Sequence, residues 1–383
     1  MGDRDMKRRE FLGLGAASLA MGWGGALNTR EVYNLWLEEI GPKPPAFSVV
    51  PVVGDGKWIW KEPPEKDRGY LEERDYSLDV GIEMEGIGAA NNILSTTTVP
   101  VEHPEQKVVD VQLETVGCQA VMRQLAPGAA QLVMSVPQLE RGQRVRAIAH
   151  YRLKLSKQYF AFERDQFPVK QMVPRDVQQT SLQDSPGIQT KIVPLRKLAR
   201  ELSSELDHPW DMAQAFANWI PKHIQPQIGS YTSVETALKT QRGDCEEMAG
   251  LFVALCRAVN IPARLVWVPN HVWAEFYLVD KDETGHWIPA HTACYSWFGF
   301  NGAHELVLQK GDRFDVPERP GFFRLLEDWT RYQGRRPKIH YTATLTPLPA
   351  ESDMDAGPGA RSKDEKGEWI VTGDHPLNRY IRR

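Results

Sequence analysis

An α+β domain preceded by an antiparallel β-sandwich is the architecture this sequence predicts, and three observations carry it. Five short segments between residues 75 and 157 alternate apolar and polar side chains and are separated by turn residues, the period of half-buried strands. From 195 to 259 the apolar spacing lengthens to that of helices. Beyond Pro262 the strand pattern returns, and helices followed by antiparallel strands make an α+β unit. The chain has 383 residues, against about 100–200 for one domain, so two domains are expected. A composition of 42% hydrophobic and 25% charged residues is that of a chain able to bury cores. Its net charge of −4 gives no reason to expect nucleic acid as a partner. Cysteines at 118, 245, 256 and 294 show neither zinc-finger spacing nor the density of a disulfide scaffold.

The elements follow in chain order. Residues 1–27 contain "KRREFLGLGAASLAMGWGGA", three basic residues and then a short run of small and apolar ones. This reads as a targeting segment, too short and glycine-rich for a membrane span. "RREFLG" resembles a twin-arginine export signal, which implies a bacterial protein carried folded across the inner membrane to the periplasm or beyond. Residues 28–70, with "GPKPPAF" and "WIWKEPPEK", form an extended lead-in. The sandwich is expected over 71–160, from "YSLDVGIEME", "ILSTTTVPV", "KVVDVQLETV", "QLVMSVPQL" and "VRAIAHYRLKL". Residues 161–190 carry Pro168, Pro174 and Pro186 among polar residues and suit a linker. The second domain is expected over 191–348, and an acidic tail over 349–383.

Within that second domain, "LRKLARELSSEL" and "PWDMAQAFANWIPKHI" are helical, with Pro209 at a first turn. Thr232 and Glu235 have capping-box spacing ahead of "ETALK". In "RGDCEEMAGLFVALCRAVNIPAR" Asp244 suits an N-cap with Glu247 reaching back. Met248, Leu251, Phe252, Leu255 and Val259 form an apolar stripe, and Asn260 suits a left-handed end before Ile261-Pro262. Cys245 then falls in the first turn, where unpaired N–H groups and the helix dipole favour a thiolate. Asp244, Glu246 and Glu247 oppose it, so a nearby imidazolium is needed.

"NHVWAEFYLV" offers one. Alternation puts His271, Trp273, Glu275 and Tyr277 on one strand face and Val272, Ala274, Phe276 and Leu278 on the other. At this point "GDCEEMAGLFVALCRAVNIPARLVWV", "HVWAEFYL" and "GHWIPAH" together resemble the transglutaminase-like superfamily of papain-type thiol enzymes, over about 190–345. The resemblance implies a papain-like α+β core with Cys245 as nucleophile and His271 as general base. The family's aspartate lies four residues after the Trp of its Trp-x-Pro-x-Asp turn, and here Trp287 plus four is His291. His291 can orient an imidazole but brings no negative charge. Asp280 and Asp282 could stand in only if their loop folds back.

Cys256, eleven residues after Cys245, is expected in the core. Cys294 with His286 and His291, or Cys245 with His271 and His291, has donor types suited to zinc, but a single Asp-to-His replacement in a triad also accounts for the second set. No metal or other cofactor is therefore expected. Trp273 and Trp287 are expected to wall the site, while Glu275 and Arg264 are expected in structural ion pairs. The function implied is acyl transfer at a peptide or protein amide, with a cell-envelope substrate and no nucleic-acid partner, ending in hydrolysis or amine transfer. The alternative is a catalytically degraded fold that serves as a binding or scaffolding module.

Overall fold

Strand alternation and helix caps set the elements seen in the computed structural model, which describes residues 49–52, 57–60 and 69–348 except 160–161, 228–229, 270 and 294–296. The export segment, most of the lead-in, Cys294 and the tail from 349 lie outside the described residues. The first strands are β1 (Val49–Val52), β2 (Lys57–Trp60), β3 (Gly69–Glu85), β4 (Ala90–Val99), β5 (Gln106–Val116), β6 (Gln119–Ala126), β7 (Ala129–Leu139) and β8 (Arg144–Tyr159). Next come α1 (Arg175–Ser181), α2 (Val193–Ser203), α3 (Pro209–His223), β9 (Gln225–Pro226), α4 (Val234–Thr240), β10 (Arg242–Gly243) and α5 (Cys245–Ala258). The rest are β11 (Ala263–Val268), β12 (His271–Val279), β13 (Gly285–Ala290), β14 (Gln309–Lys310), β15 (Phe314–Asp315), β16 (Phe322–Phe323), β17 (Trp329–Gly334) and β18 (Lys338–Pro347). No helix among the described residues is long and apolar enough to cross a membrane.

The described residues fall into two units, one of 49–52, 57–60, 69, 158–302 and 310–325 and one of 70–157, 303–309 and 326–348. The β-rich unit holds two four-stranded sheets, ordered β17-β4-β7-β6 and β18-β3-β8-β5. Alternate residues of each point into one core: Tyr76, Leu78, Val80, Ile82 and Met84 from β3, Leu132, Met134 and Val136 from β7, and Leu153 and Leu155 from β8. Three expectations change here. Strand β6 has no place in the sequence reading, because Val121 and Met122 are exposed on an edge strand and blur the alternation. Residues 329–347, expected in the second domain, form β17 and β18, which pair antiparallel with β4 and β3 (Trp329 opposite Thr96, Lys338 opposite Glu85). Such pairing satisfies backbone groups across more than 200 residues of chain, which no local pattern reveals.

The third change concerns 161–190, expected as a linker. It belongs to the other unit: Phe167 and Ile188, 2% and 0% exposed, join the core around α5. That core is built on α5, which packs against α2, α3, α4, β11 and β12. Every residue of α5 from Glu247 to Arg257 is buried, so the helix is enclosed on all sides rather than along one stripe. Strands β13-β12-β11-β14 form the adjoining sheet, with β12 antiparallel to both β11 and β13. One buried ion pair ties this unit together. Arg257 grips Asp312 through bonds of 2.9 Å to both carboxylate oxygens and also donates to the carbonyl of Ala263.

Candidate active site

Cys245 is the first residue of α5, and Asp244 caps the helix as the sequence predicts. The Asp244 carboxylate accepts from the N–H of Glu246 at 2.9 Å, and the N–H of Asp244 donates to Glu247 Oε2 at 3.0 Å. Asn260, at φ 63°, takes the left-handed position at the other end. The N-cap of α4 differs from expectation. Ser233, not Thr232, caps it by accepting from Thr236 N at 3.1 Å. Thr232 is instead committed to α5, donating its N–H (2.6 Å) and hydroxyl (3.2 Å) to Glu247 Oε1. Gly243 completes this corner, because a Cβ there would lie 2.5 Å from the Cβ of Glu247.

These contacts change the electrostatics around the thiol. Burial pushes the Asp244 carboxyl well above its usual range, and the neighbouring Glu247 and Glu246 add to the effect. Burial also acts upward on Glu247, but hydrogen bonds from Asp244 and Thr232 outweigh it and hold that carboxyl below its usual value. The pair therefore favours sharing one proton, and the first turn carries less negative charge than its three acids suggest. Glu246 is met by Arg324, whose Nη2 lies 2.8 Å from Oε2. Cys245 as a whole is 9% exposed, more enclosed than an open helix start.

His271 opens β12, opposite Val268 of β11. Ala274 pairs with Ala290 at the end of β13, so His291, the next residue, falls beside Trp273. His271, Trp273 and His291 consequently share one face of neighbouring strands. The ring of His291 stacks on Trp273 at a centroid distance of 4.8 Å with planes 18° apart, and lies 6.2 Å from the His271 ring at 23°. Burial lowers the pKa of His271 to about 4. Burial lowers His291 well below the ordinary imidazole value, and the charge of His271 would lower it further. Both rings are neutral near pH 7, so His271 is available to accept a proton.

The other sequence-predicted residues are placed as follows. Trp287 stands opposite Tyr277, not beside His291, about 13 Å along the strand at ~3.3 Å per residue. It packs against the Tyr277 ring at 5.0 Å and under the Arg264 guanidinium at 3.8 Å. The four residues separating it from His291 keep it on the same face but away from the imidazoles. Asp280 lies beyond the opposite end of β12 from His271. It accepts from the N–H groups of Asp282 and Thr284 at 2.9 and 2.8 Å and pairs with His286 at 2.7 Å, so that loop does not fold back. His286 and His291 differ by an odd number of residues and sit on opposite faces, against a shared metal. No group of three His, Cys, Asp or Glu suited to a metal occurs among the described residues. Cys256 is fully buried, and burial pushes its thiol well above the ordinary value. Glu275 and Arg264 pair with each other across the β11–β12 ladder at 2.7 Å, and Lys310 adds a bond of 2.6 Å.

Two contributors escape the sequence reading. Trp297 meets His291 edge-on at 5.3 Å, and its carbonyl accepts the His291 N–H at 2.8 Å. The run "CYSWF" signals an aromatic segment but not this contact. Arg324 lies 78 residues from its partner Glu246 and leaves no local signal. Together these residues offer a thiol at a helix head, a neutral imidazole on the strand packed beside that helix, and a second imidazole clamped between tryptophans.

Residues 196–292 match the family described as the transglutaminase-like superfamily, a span that includes Cys245, His271 and His291. A 68-residue stretch is 32% identical to a peptide-N(4)-(N-acetyl-beta-glucosaminyl)asparagine amidase of Yarrowia lipolytica, spanning 18% of this chain and 18% of that enzyme. Among solved structures, a candidate cysteine protease of Cytophaga hutchinsonii aligns at 16% identity with a TM-score of 0.49, over 73% of this chain and 93% of that one. A candidate protease of Parabacteroides distasonis aligns at 12% identity with a TM-score of 0.24, over 55% and 42%.

Proposed function

We propose that the α+β unit is a cysteine acyl-transfer enzyme acting on peptide or protein amides. The observation that carries the reading is the placement of a cysteine at the head of α5 and of a buried, neutral histidine at the start of β12, the strand packed on that helix. His271 takes the proton of Cys245 as sulfur attacks the amide carbonyl carbon. The N–H of Cys245, in the first turn of α5, is suited to donate to the oxyanion. When the C–N bond breaks, His271 returns the proton to the leaving amine, and a thioester remains on Cys245. Water then releases an acid, or an amine takes the acyl group. His291 is a positioning residue, holding the His271 ring with Trp273 and Trp297 behind it. The matching superfamily and the amidase similarity favour this amide chemistry. The β-rich unit is read as a β-sandwich, and Arg8 and Arg9 are read as directing export by the twin-arginine route to the periplasm or beyond.

The second reading, a binding module that has lost catalysis, is favoured by His291 itself, since an imidazole rather than a carboxylate stands at this position beside Trp273. One experiment separates the two. Iodoacetamide alkylation of the native protein is followed by peptide mass spectrometry across pH, with casein hydrolysis and amine incorporation measured in parallel. An enzyme alkylates at Cys245 ahead of Cys118 and Cys256, with an apparent pKa below the ~8.5 of an ordinary thiol, and turns over substrate. Ordinary thiol reactivity at Cys245 without turnover supports the binding module.

A further inference from the structure

Glu246 follows Cys245 in the first turn of α5, where an unopposed carboxylate would disfavour a thiolate. Arg324 takes up that carboxylate at 2.8 Å, with the two side chains only 13% and 17% exposed. The guanidinium is fixed in turn by aromatic rings, 3.5 Å from the Tyr231 centroid and 5.4 Å from that of Trp267. Among the described residues, the other titratable groups to weigh here are Asp244 and Glu247 on the helix and its cap, Tyr231 before α4, Asp312 (held by Arg257), Arg242 on β10, His271 on β12 and His291 after β13. Asp244 and Glu247 are occupied with each other, and Arg242 is exposed. The two imidazoles are buried and neutral near pH 7, so they bring no positive charge to the resting thiol. Arg324 does, through an ion pair to the residue adjoining Cys245.

We propose that Arg324 is a positioning residue that sets the charge beside Cys245, neutralising Glu246 and keeping a guanidinium at the helix head. This rests on the reading of Cys245 as nucleophile. It explains how a thiolate can form where the third residue of the triad is uncharged: the compensating cation comes from the 310–325 segment rather than from a carboxylate-supported imidazolium. A partly enclosed, ring-stacked arginine suits this role, because Arg stays charged at every relevant pH and loses little freedom on pairing.

The test uses the full chain and the alkylation rate of Cys245 from about pH 5 to about pH 10. Arg324→Ala is expected to raise the apparent thiol pKa by about one unit, and Arg324→Lys to restore most of that shift. Adding Glu246→Gln to Arg324→Ala should return the pKa toward the natural value, since the opposing charge is gone. If Arg324→Ala fails to fold by circular dichroism, Arg324→Gln decides, with an unchanged apparent pKa counting against the proposal and a raised one for it. A folded Arg324→Ala protein with lower thermal stability but an unchanged thiol pKa would mean a purely structural ion pair and overturn the inference. Turnover separates the two levels. The pKa shift without turnover in any variant sinks the enzymatic reading alone, whereas turnover without the shift sinks the role of Arg324 alone.

Discussion

His271 and His291 lie on one face of adjacent strands with ring centroids 6.2 Å apart, and burial keeps both neutral. In a thiol–imidazole–carboxylate triad the third group favours the charged imidazole. In the proposed mechanism the third group is a second base, so the resting pair would be a thiol and a neutral imidazole, with proton transfer accompanying attack. Two features near the helix head are consistent with managing charge without that anion: the Asp244 carboxyl is pushed well above its usual range by burial beside Glu247, and Glu246 is bound to Arg324.

The two buried cysteines should separate cleanly. Cys245→Ser is expected to abolish acyl transfer with a small change in melting temperature, because the thiol is at the edge of the core. Cys256→Ser is expected to keep the chemistry but lose roughly 1–3 kcal/mol, since a hydroxyl is placed where no exposed surface remains. Thermal melts beside turnover assays decide it, and exchanged phenotypes would mean that the nucleophile is misassigned.

Glu275 makes a prediction about acid stability. Burial acts upward on its carboxyl, but Lys310 and Arg264 outweigh it and hold the pKa down at about 2, from an ordinary 4.5. A carboxyl lowered on folding contributes stability that is complete above about pH 4.5 and is lost as pH falls toward 2. Glu275→Gln should flatten the stability curve across that window. At pH 7 it should cost about 3–5 kcal/mol by leaving the buried Lys310 ammonium uncompensated. Denaturant melts at pH 7 and at low pH measure both effects, and an unchanged midpoint at pH 7 contradicts the network.

The two imidazoles add a second window at higher pH. Their folded pKa values lie below the ordinary 6.5, so their contribution is complete above about 6.5 and falls as pH drops toward 4. His271→Asn, which cannot titrate, should reduce the loss of stability in this range. A stability profile with the same slope between those pH values in both proteins would argue against the neutral buried ring.

Export is tested genetically. Replacing both Arg8 and Arg9 by Lys should retain the protein in the cytoplasm, since twin-arginine recognition requires guanidinium groups. Normal fractionation of the double variant outside the cytoplasm would contradict the assignment.

How much of this was legible in the sequence depends on how local each cause is. The cap at Asp244, the reach of Glu247 and the left-handed Asn260 are short-range and were readable in place. So were the strand faces of β12, because a period of two assigns them without further information. Distance along the chain hid the rest. Thr232 looked like a cap because nothing nearby revealed its commitment to Glu247, fifteen residues away. Strands β17 and β18 show ordinary alternation, but their partners are β4 and β3. Phe167 sits in a proline-rich stretch that reads as spacer, yet its ring is 5.8 Å from that of Trp210 in the core. The motif that holds Trp287 suggests a site wall, but the strand register places it four pairs away from His291.

The central claim is that His291 occupies the third position of a Cys245–His271 unit. Its most direct measurement is the pH dependence of Cys245 alkylation and of turnover in the natural protein, His291→Asp and His291→Ala. The aspartate should supply the missing anion, make His271 easier to protonate and lower the apparent thiol pKa, with equal or higher activity. The alanine should lose ring orientation and most activity. Identical thiol reactivity in all three proteins would contradict the account and leave the motif as an inherited scaffold.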